Sequence, residues 1–181
     1  MGKLSAELQE AYDFAKKAHK GQKYGTEDYF EGHVVKVFEA TAYETDDIDM
    51  LRAALLHDVV EDTMVELYHI KEKFGIKTSN IVYLLTDPAG DNRSEKKAAL
   101  YRLYSNSEGE AIFAAALVKT ADRLVNHRKT LEEKNIKKAS MYVAEFKYFV
   151  GYIAHYVADY QIYVELWNTY EHMKKMVEHS L

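Results

Sequence analysis

Apolar residues recur at helical rather than alternating spacing, in segments at roughly 5–20, 31–44, 47–61, 65–74, 78–86, 94–104, 109–130 and 138–178. No segment combines strict alternation with β-branched enrichment, so the pattern predicts an all-α fold without strands. Pro88 is the single proline, which suits long uninterrupted helices. Loops are predicted at Gly21–Asp28 and at Asp87–Arg93, DPAGDNR. The last segment runs about forty residues, longer than most globular helices, so a bend near Gly151 is expected. Within it Tyr148, Tyr152, Tyr156 and Tyr160 recur every four residues, followed by Tyr163, Trp167 and Tyr170. That spacing predicts a packed helix face with its hydroxyls at the edge, in preference to an aromatic surface for a partner or nucleobase.

Composition narrows the class. A chain of 181 residues fits one domain spanning 1–181, with 48% hydrophobic and 29% charged residues excluding wholesale disorder. The net charge of −5 provides no global basic footprint for nucleic acid or an anionic membrane. Cysteine is absent, which removes disulfide frameworks, thiolate metal sites and cysteine nucleophiles. The opening MGKLSAELQEAYDFAKK lacks the apolar core of a signal peptide, and no apolar run approaches a membrane span. A cytoplasmic protein is expected.

Candidate chemistry concentrates in Leu55–Thr63, LLHDVVEDT. On a continuous helix His57, Glu61, Asp58 and Asp62 fall near about 0°, 40°, 100° and 140°, sharing under half the circumference. Three carboxylates on one arc repel each other and favour a compensating cation. Imidazole with carboxylate suits Mn, Fe, Zn or Mg better than a thiophilic metal. Spacing alone leaves both a metal site and a solvated helix flank open. A second stretch, Ala114–Leu131, is apolar through Leu117, Ala121, Leu124 and Leu131, while Lys119, Asp122, Asn126 and Lys129 share an arc of about 80°. That arc could pair a metal ligand with phosphate-binding groups, or form an ordinary exposed face of i,i+3 and i,i+4 pairs.

Together the two stretches resemble the HD-domain metal-dependent phosphohydrolases. More narrowly they resemble the alarmone hydrolases: the hydrolase domain of RelA/SpoT-type bifunctional proteins and the stand-alone small alarmone hydrolases. That family shows a first His, then H-D-x-x-E-D, then an Asp in a K-x-A-D-R-x-x-N-x-R-like stretch. Here these read His33, His57-Asp58-Val59-Val60-Glu61-Asp62, and Lys119 through Arg128, with His19-x-Gly21-Gln22 ahead of them. The resemblance covers about residues 5–131 and implies a helical bundle of about eight helices, followed here by a long helical region at about 138–178. It implies one divalent metal, usually Mn²⁺ in this family, on His33, His57, Asp58 and Asp122, with Glu61 and Asp62 catalytic. Asn126 would contact the nucleotide, and Lys23, Lys119 and Arg128 would be substrate-binding cations, with Arg123 and Lys129 phosphate-binding or structural.

The implied activity is removal of the 3′-pyrophosphate from guanosine 3′,5′-bis(diphosphate)-type alarmones. The alternatives are hydrolysis of other nucleotides (deoxynucleoside triphosphates, 5′-nucleotides or NADPH) and a catalytically silent nucleotide sensor. The implied partner is a small-molecule nucleotide, without nucleic acid or membrane, and a homo-oligomer is open. One loop departs from the relatives, which carry an Arg-Lys pair before the first metal histidine and end Pro-Tyr-x-x-His-Pro. Here Tyr24 and Gly25 stand at the Arg-Lys positions, and Tyr29 and Val34 replace the prolines. Outside the ligand set, His19 reads as a scaffold residue of the Gly21–Asp28 loop and His127 as structural or rim.

Overall fold

The computed structural model describes residues 4–180, so the ends of the expected 1–181 range lie outside the described residues. The first helix, α1 (Ala6–Ala18), starts at Ser5, whose side chain accepts the Leu8 N–H at 3.3 Å, and buries Leu8, Ala11 and Ala15. A hairpin follows in place of the strand-free loop expected there: β1 (Lys23–Tyr24) pairs antiparallel with β2 (Glu27–Asp28), Tyr24 opposite Glu27. Two-residue strands are too short to show alternation. Gly25 permits the turn because its φ of +65° suits a residue without Cβ, and Glu133 approaches it closely.

The chain then enters a π-helical turn, Phe30–Val34, that runs directly into α2 (Val35–Glu44). Asp47 caps α3 (Ile48–Leu56) by accepting the Met50 N–H at 2.8 Å. The segment predicted as one helix over 47–61 is divided: α3 ends at Leu56 and a single turn, α4 (Val59–Asp62), follows. The imidazole of His57 bonds the Ala54 carbonyl at 2.8 Å, so that carbonyl is engaged by a side chain where the helix would otherwise continue. Next, α5 (Leu67–Leu85) joins two predicted segments across a kink at Gly75, whose φ is +89°.

The remaining helices are α6 (Arg93–Ser105), α7 (Glu110–Glu132), α8 (Ile136–Val157) and α9 (Gln161–Glu178). Gly151 lies inside α8, so the bend expected there is displaced to residues 158–160, where the chain folds back. A long-range cap lies at this fold-back. Glu44, at the end of α2, accepts the Ile162 N–H at 2.6 Å and satisfies the start of α9. Sequence periodicity carries no trace of that contact.

Helix α7 is the centre of the bundle, with α2, α3 and α5 against one part of its surface and α8 and α9 against another. Leu117, Ala121 and Leu124 are buried in it, as the apolar stripe predicted. The tyrosines largely pack: Tyr152, Tyr156, Tyr160, Tyr163 and Tyr170 lie against the core, and Tyr170 stacks on Phe146 with centroids 3.8 Å apart. Tyr148 is the departure, 65% exposed. Among the described residues no helix is long and apolar enough to cross a membrane.

His127, fully buried in α7, faces Thr169 of α9 through Nδ1 at 3.0 Å. Burial, assisted by the Arg123 charge, holds its imidazole down at about 3. The unfolded chain takes up this proton near about pH 6.5 and the folded chain only near 3, so acid favours unfolding between those values. Above about 6.5 the contribution is complete. Compared with His127→Gln, the wild type should lose more stability between about pH 7 and pH 4, on the order of a few kcal/mol, read as a steeper fall in melting temperature. Parallel melting curves across that range would reject the assignment.

Candidate metal centre and active site

The centre forms where the end of α3, the π-helical turn and α7 converge. His57 donates from Nδ1 to the Ala54 carbonyl, which fixes its tautomer and leaves Nε2 as a free lone pair. The π-helical turn brings His33 Nε2 to 3.2 Å from His57 Nε2. Asp58, at the break between α3 and α4, places Oδ2 2.9 Å from His57 Nε2 and 3.3 Å from His33 Nε2. Donor atoms of His33, His57 and Asp58 all lie within 4.8 Å of one another, a grouping that could hold a metal ion. Asp122 of α7 joins from the His33 side, its Oδ1 3.4 Å from Nε2. Separations of 2.9–3.4 Å suit adjacent ligands on one divalent ion at the usual bond lengths of about 2.0–2.2 Å.

The electrostatics point the same way. Burial alone would lower the His33 imidazole, yet the Asp122 and Asp58 carboxylates outweigh it and push it up to about 9. His57 is also raised, because Asp58 outweighs the burial that opposes it. Burial would raise both carboxyls, but the imidazoles hold Asp58 well below its ordinary value and Asp122 at about 2. Two nitrogens and two carboxylate oxygens therefore converge where positive charge is demanded. That donor set fits a first-row divalent cation.

Glu61 and Asp62 lie on α4, exposed at the rim of the centre. Glu61 accepts the backbone N–H of Asp87, in the loop before α6. The surrounding protein raises its carboxyl, with the Lys119 charge opposing. Asp62 is raised by desolvation and by Asp58. Its carbonyl accepts Gln22 Nε2 at 2.7 Å, while Gln22 Oε1 accepts from His19 Nδ1 at 2.7 Å. His19 thus ties the loop after α1 to α4.

Of the remaining site residues predicted from the sequence, Asn126 is at the centre: its Nδ2 donates to Asp122 Oδ1 at 2.6 Å. Lys23 is exposed on β1. Lys119 reaches inward, donating to the Leu85 carbonyl at 2.8 Å and lying 3.5 Å from Asp87, which Lys97 also contacts at 2.8 Å. Arg128 is turned elsewhere. It pairs with Glu165 of α9 and borders a cavity of about 330 Å³ that Tyr24, Lys36, Tyr43 and Ile162 also line. Arg123 is a packing residue, 4.5 Å from the Phe149 ring and 4.9 Å from Tyr142, and paired with Glu145. Lys129 bonds Glu27 of the hairpin at 2.7 Å.

Sequence reasoning missed three contributors. Tyr29 donates its hydroxyl to Asp58 Oδ2, Tyr24 donates to Asn126 Oδ1 at 2.8 Å, and Asp87 supplies the N–H to Glu61. Burial holds both phenols well above their ordinary range, so at neutral pH each is a donor. The departure of Tyr24 and Tyr29 from the relatives' loop was the available signal for two of them. Asp87 had none beyond its place in a predicted loop.

Comparison with known proteins now decides the family. A family model described as "HD domain" matches residues 11–150. The chain belongs to the HD-domain family. Among HD-domain relatives, the human guanosine-3′,5′-bis(diphosphate) 3′-pyrophosphohydrolase MESH1 is 36% identical over 134 residues, 71% of this chain and 72% of that protein. The guanosine-3′,5′-bis(diphosphate) 3′-pyrophosphohydrolase of Aquifex aeolicus is 35% identical over 139 residues, 74% of this chain and 19% of that far longer protein. A solved structure described as a metazoan orthologue of SpoT that hydrolyses ppGpp superposes with a TM-score of 0.80 at 24% identity, covering 95% of this chain and 98% of the other. The helical HD-domain fold is thereby shared across nearly the whole length.

Proposed function

We propose that this HD-domain hydrolase removes the 3′-pyrophosphate from guanosine 3′,5′-bis(diphosphate)-type alarmones, acting in the cytoplasm on a small-molecule nucleotide and not on nucleic acid. One observation carries the reading: the His33–His57–Asp58 cluster with Asp122 against it, in a chain 36% identical to the human 3′-pyrophosphohydrolase over 71% of its length. His33, His57, Asp58 and Asp122 are the proposed ligands of one divalent cation, with Mn²⁺ the proposed metal. A cation held there would supply Lewis acidity toward a phosphoryl oxygen and a bound water.

The chain's own groups do the rest. The bond that breaks joins the 3′-oxygen to phosphorus; water adds to that phosphorus, and pyrophosphate leaves the restored 3′-hydroxyl. In this reading Glu61, steadied by the Asp87 N–H, orients the water and accepts its proton. Asp62 is the second carboxyl on the same turn and assists by returning a proton to the departing 3′-oxygen. Asn126 and Lys23 are proposed nucleotide contacts. Lys119, committed to the Leu85 carbonyl, is assigned to holding the site's wall, and Arg128, paired with Glu165, is given no contact with the reacting atoms.

A second reading follows from Tyr24 and Gly25 standing where relatives carry Arg-Lys: the same machinery acting on another nucleotide, including NADPH. Purified protein with Mn²⁺ and a panel of alarmone, deoxynucleoside triphosphate, 5′-nucleotide and NADPH separates the two, with products resolved by chromatography. Pyrophosphate from the alarmone, and no triphosphate from the deoxynucleotides, is the expected result. Turnover of only another member of the panel transfers the activity to the second reading.

A further inference from the structure

The two histidines of the centre are held differently. His57 has the usual support of a ligating imidazole, its Nδ1–H bonded to a backbone carbonyl. His33 Nδ1 is buried and, among the described residues, finds no hydrogen-bond partner. Its ring is instead flanked by two tyrosines from the hairpin region, Tyr24 with centroids 4.9 Å away and Tyr29 at 5.2 Å. The same two side chains reach the carboxylates. Tyr29 donates to Asp58 Oδ2, the oxygen that contacts both imidazoles. Tyr24 donates to Asn126 Oδ1, which turns the amide so that Nδ2 donates to Asp122 Oδ1. Were that amide reversed, its oxygen would face the Asp122 carboxylate and repel it.

We propose that Tyr24 and Tyr29 are positioning residues for three of the four metal ligands: their rings clamp His33, and their hydroxyls fix Asp58 directly and Asp122 through Asn126. The inference rests on the metal reading above and concerns residues at which this chain departs from the alarmone-hydrolase loop pattern. The architecture explains how a loop without that pattern still supports the centre. Gly25 allows the tight hairpin, Tyr24 and Tyr29 leave it on either side, and Lys129–Glu27 ties it to α7. Where a proline would stiffen the approach to His33, Tyr29 instead contributes a ring and a donor. Asn126, which the resemblance assigns to the nucleotide, is here also a relay between a phenol and a ligand.

Tyr29→Phe keeps the ring and removes only the donor, so it tests the hydroxyl without opening a cavity. On metal-stripped protein, titration calorimetry with Mn²⁺ should show affinity reduced about 10–100-fold in Tyr29→Phe, the usual cost of losing such a partner, and at least about threefold in Tyr24→Phe. The melting temperatures of the stripped variants should stay close to wild type. At saturating Mn²⁺, KM for the alarmone should change less than about threefold in Tyr29→Phe, whose hydroxyl acts on Asp58 and not on a nucleotide contact. Tyr148→Phe, an exposed tyrosine on α8, serves as the unaffected control.

Mn²⁺ affinity within about twofold of wild type in both variants would overturn the proposal, as would unchanged affinity with a raised KM, which would make the phenols substrate contacts. If Tyr29→Phe fails to fold, Tyr24→Phe carries the test. Wild type that binds Mn²⁺ in a tyrosine-dependent way yet releases no pyrophosphate would support this inference while sinking the alarmone reading. Wild type that binds no Mn²⁺ would sink both.

Discussion

Replacing Asp58 with alanine should leave a folded protein that no longer binds Mn²⁺ and has no measurable turnover. Asp58 Oδ2 lies within 3.3 Å of both imidazole Nε2 atoms, so its removal opens the middle of the ligand set. The loss is readable without any activity. A ligand at about 100 times its Kd stabilises the native state by about 2.7 kcal/mol, which for a chain of this size raises Tm by roughly 5–10 °C. Wild type should show that Mn²⁺-dependent rise, and Asp58→Ala should melt at the same temperature with and without the metal. Asp122→Ala, which removes the carboxylate on the opposite side of His33, should behave alike. An Asp58→Ala protein that retains the Mn²⁺ shift would overturn the ligand assignment, whatever its activity.

The helical reading was available from periodicity because α7 must bury Leu117, Ala121 and Leu124 in the middle of a bundle, and that demand imposes a 3.6-residue repeat. What periodicity missed are features set by contacts distant in sequence. The start of α9 is capped by Glu44, 118 positions from its partner Ile162. The hairpin depends on a single glycine turn and on the Lys129–Glu27 tie to α7. The site shows the same division. His57, Asp58, Glu61 and Asp62 stood out because charge followed directly on core residues. The helix wheel that grouped them assumed a continuous helix, whereas the structure interrupts it at His57–Asp58. Spacing placed the four residues together, and the interruption sets their final directions. Arg128, within the motif-like stretch, pairs with Glu165 of α9, a partner that spacing within the stretch does not reveal.

Glu61→Gln should separate catalysis from metal binding. The amide oxygen of glutamine can still accept the Asp87 N–H, so the loop before α6 keeps its anchor while the carboxylate that would take a proton is gone. General-base contributions run to about 10²–10⁴-fold, so kcat should fall by that factor with Mn²⁺ affinity and the Mn²⁺-dependent Tm rise unchanged. Asp62→Asn should lower kcat by less if Glu61 handles the attacking water and Asp62 only assists the leaving oxygen. A Glu61→Gln variant within about threefold of wild-type kcat would remove Glu61 from the proton-transfer role, and a large loss in Asp62→Asn would then transfer that role to its neighbour on the same turn. Loss of Mn²⁺ affinity in Glu61→Gln would carry a different meaning: the rim carboxylate would belong to the ligand set itself. Measuring affinity and kcat on the same preparations distinguishes these outcomes, because Asp58 governs whether the cation is held and Glu61 governs what happens to the water beside it.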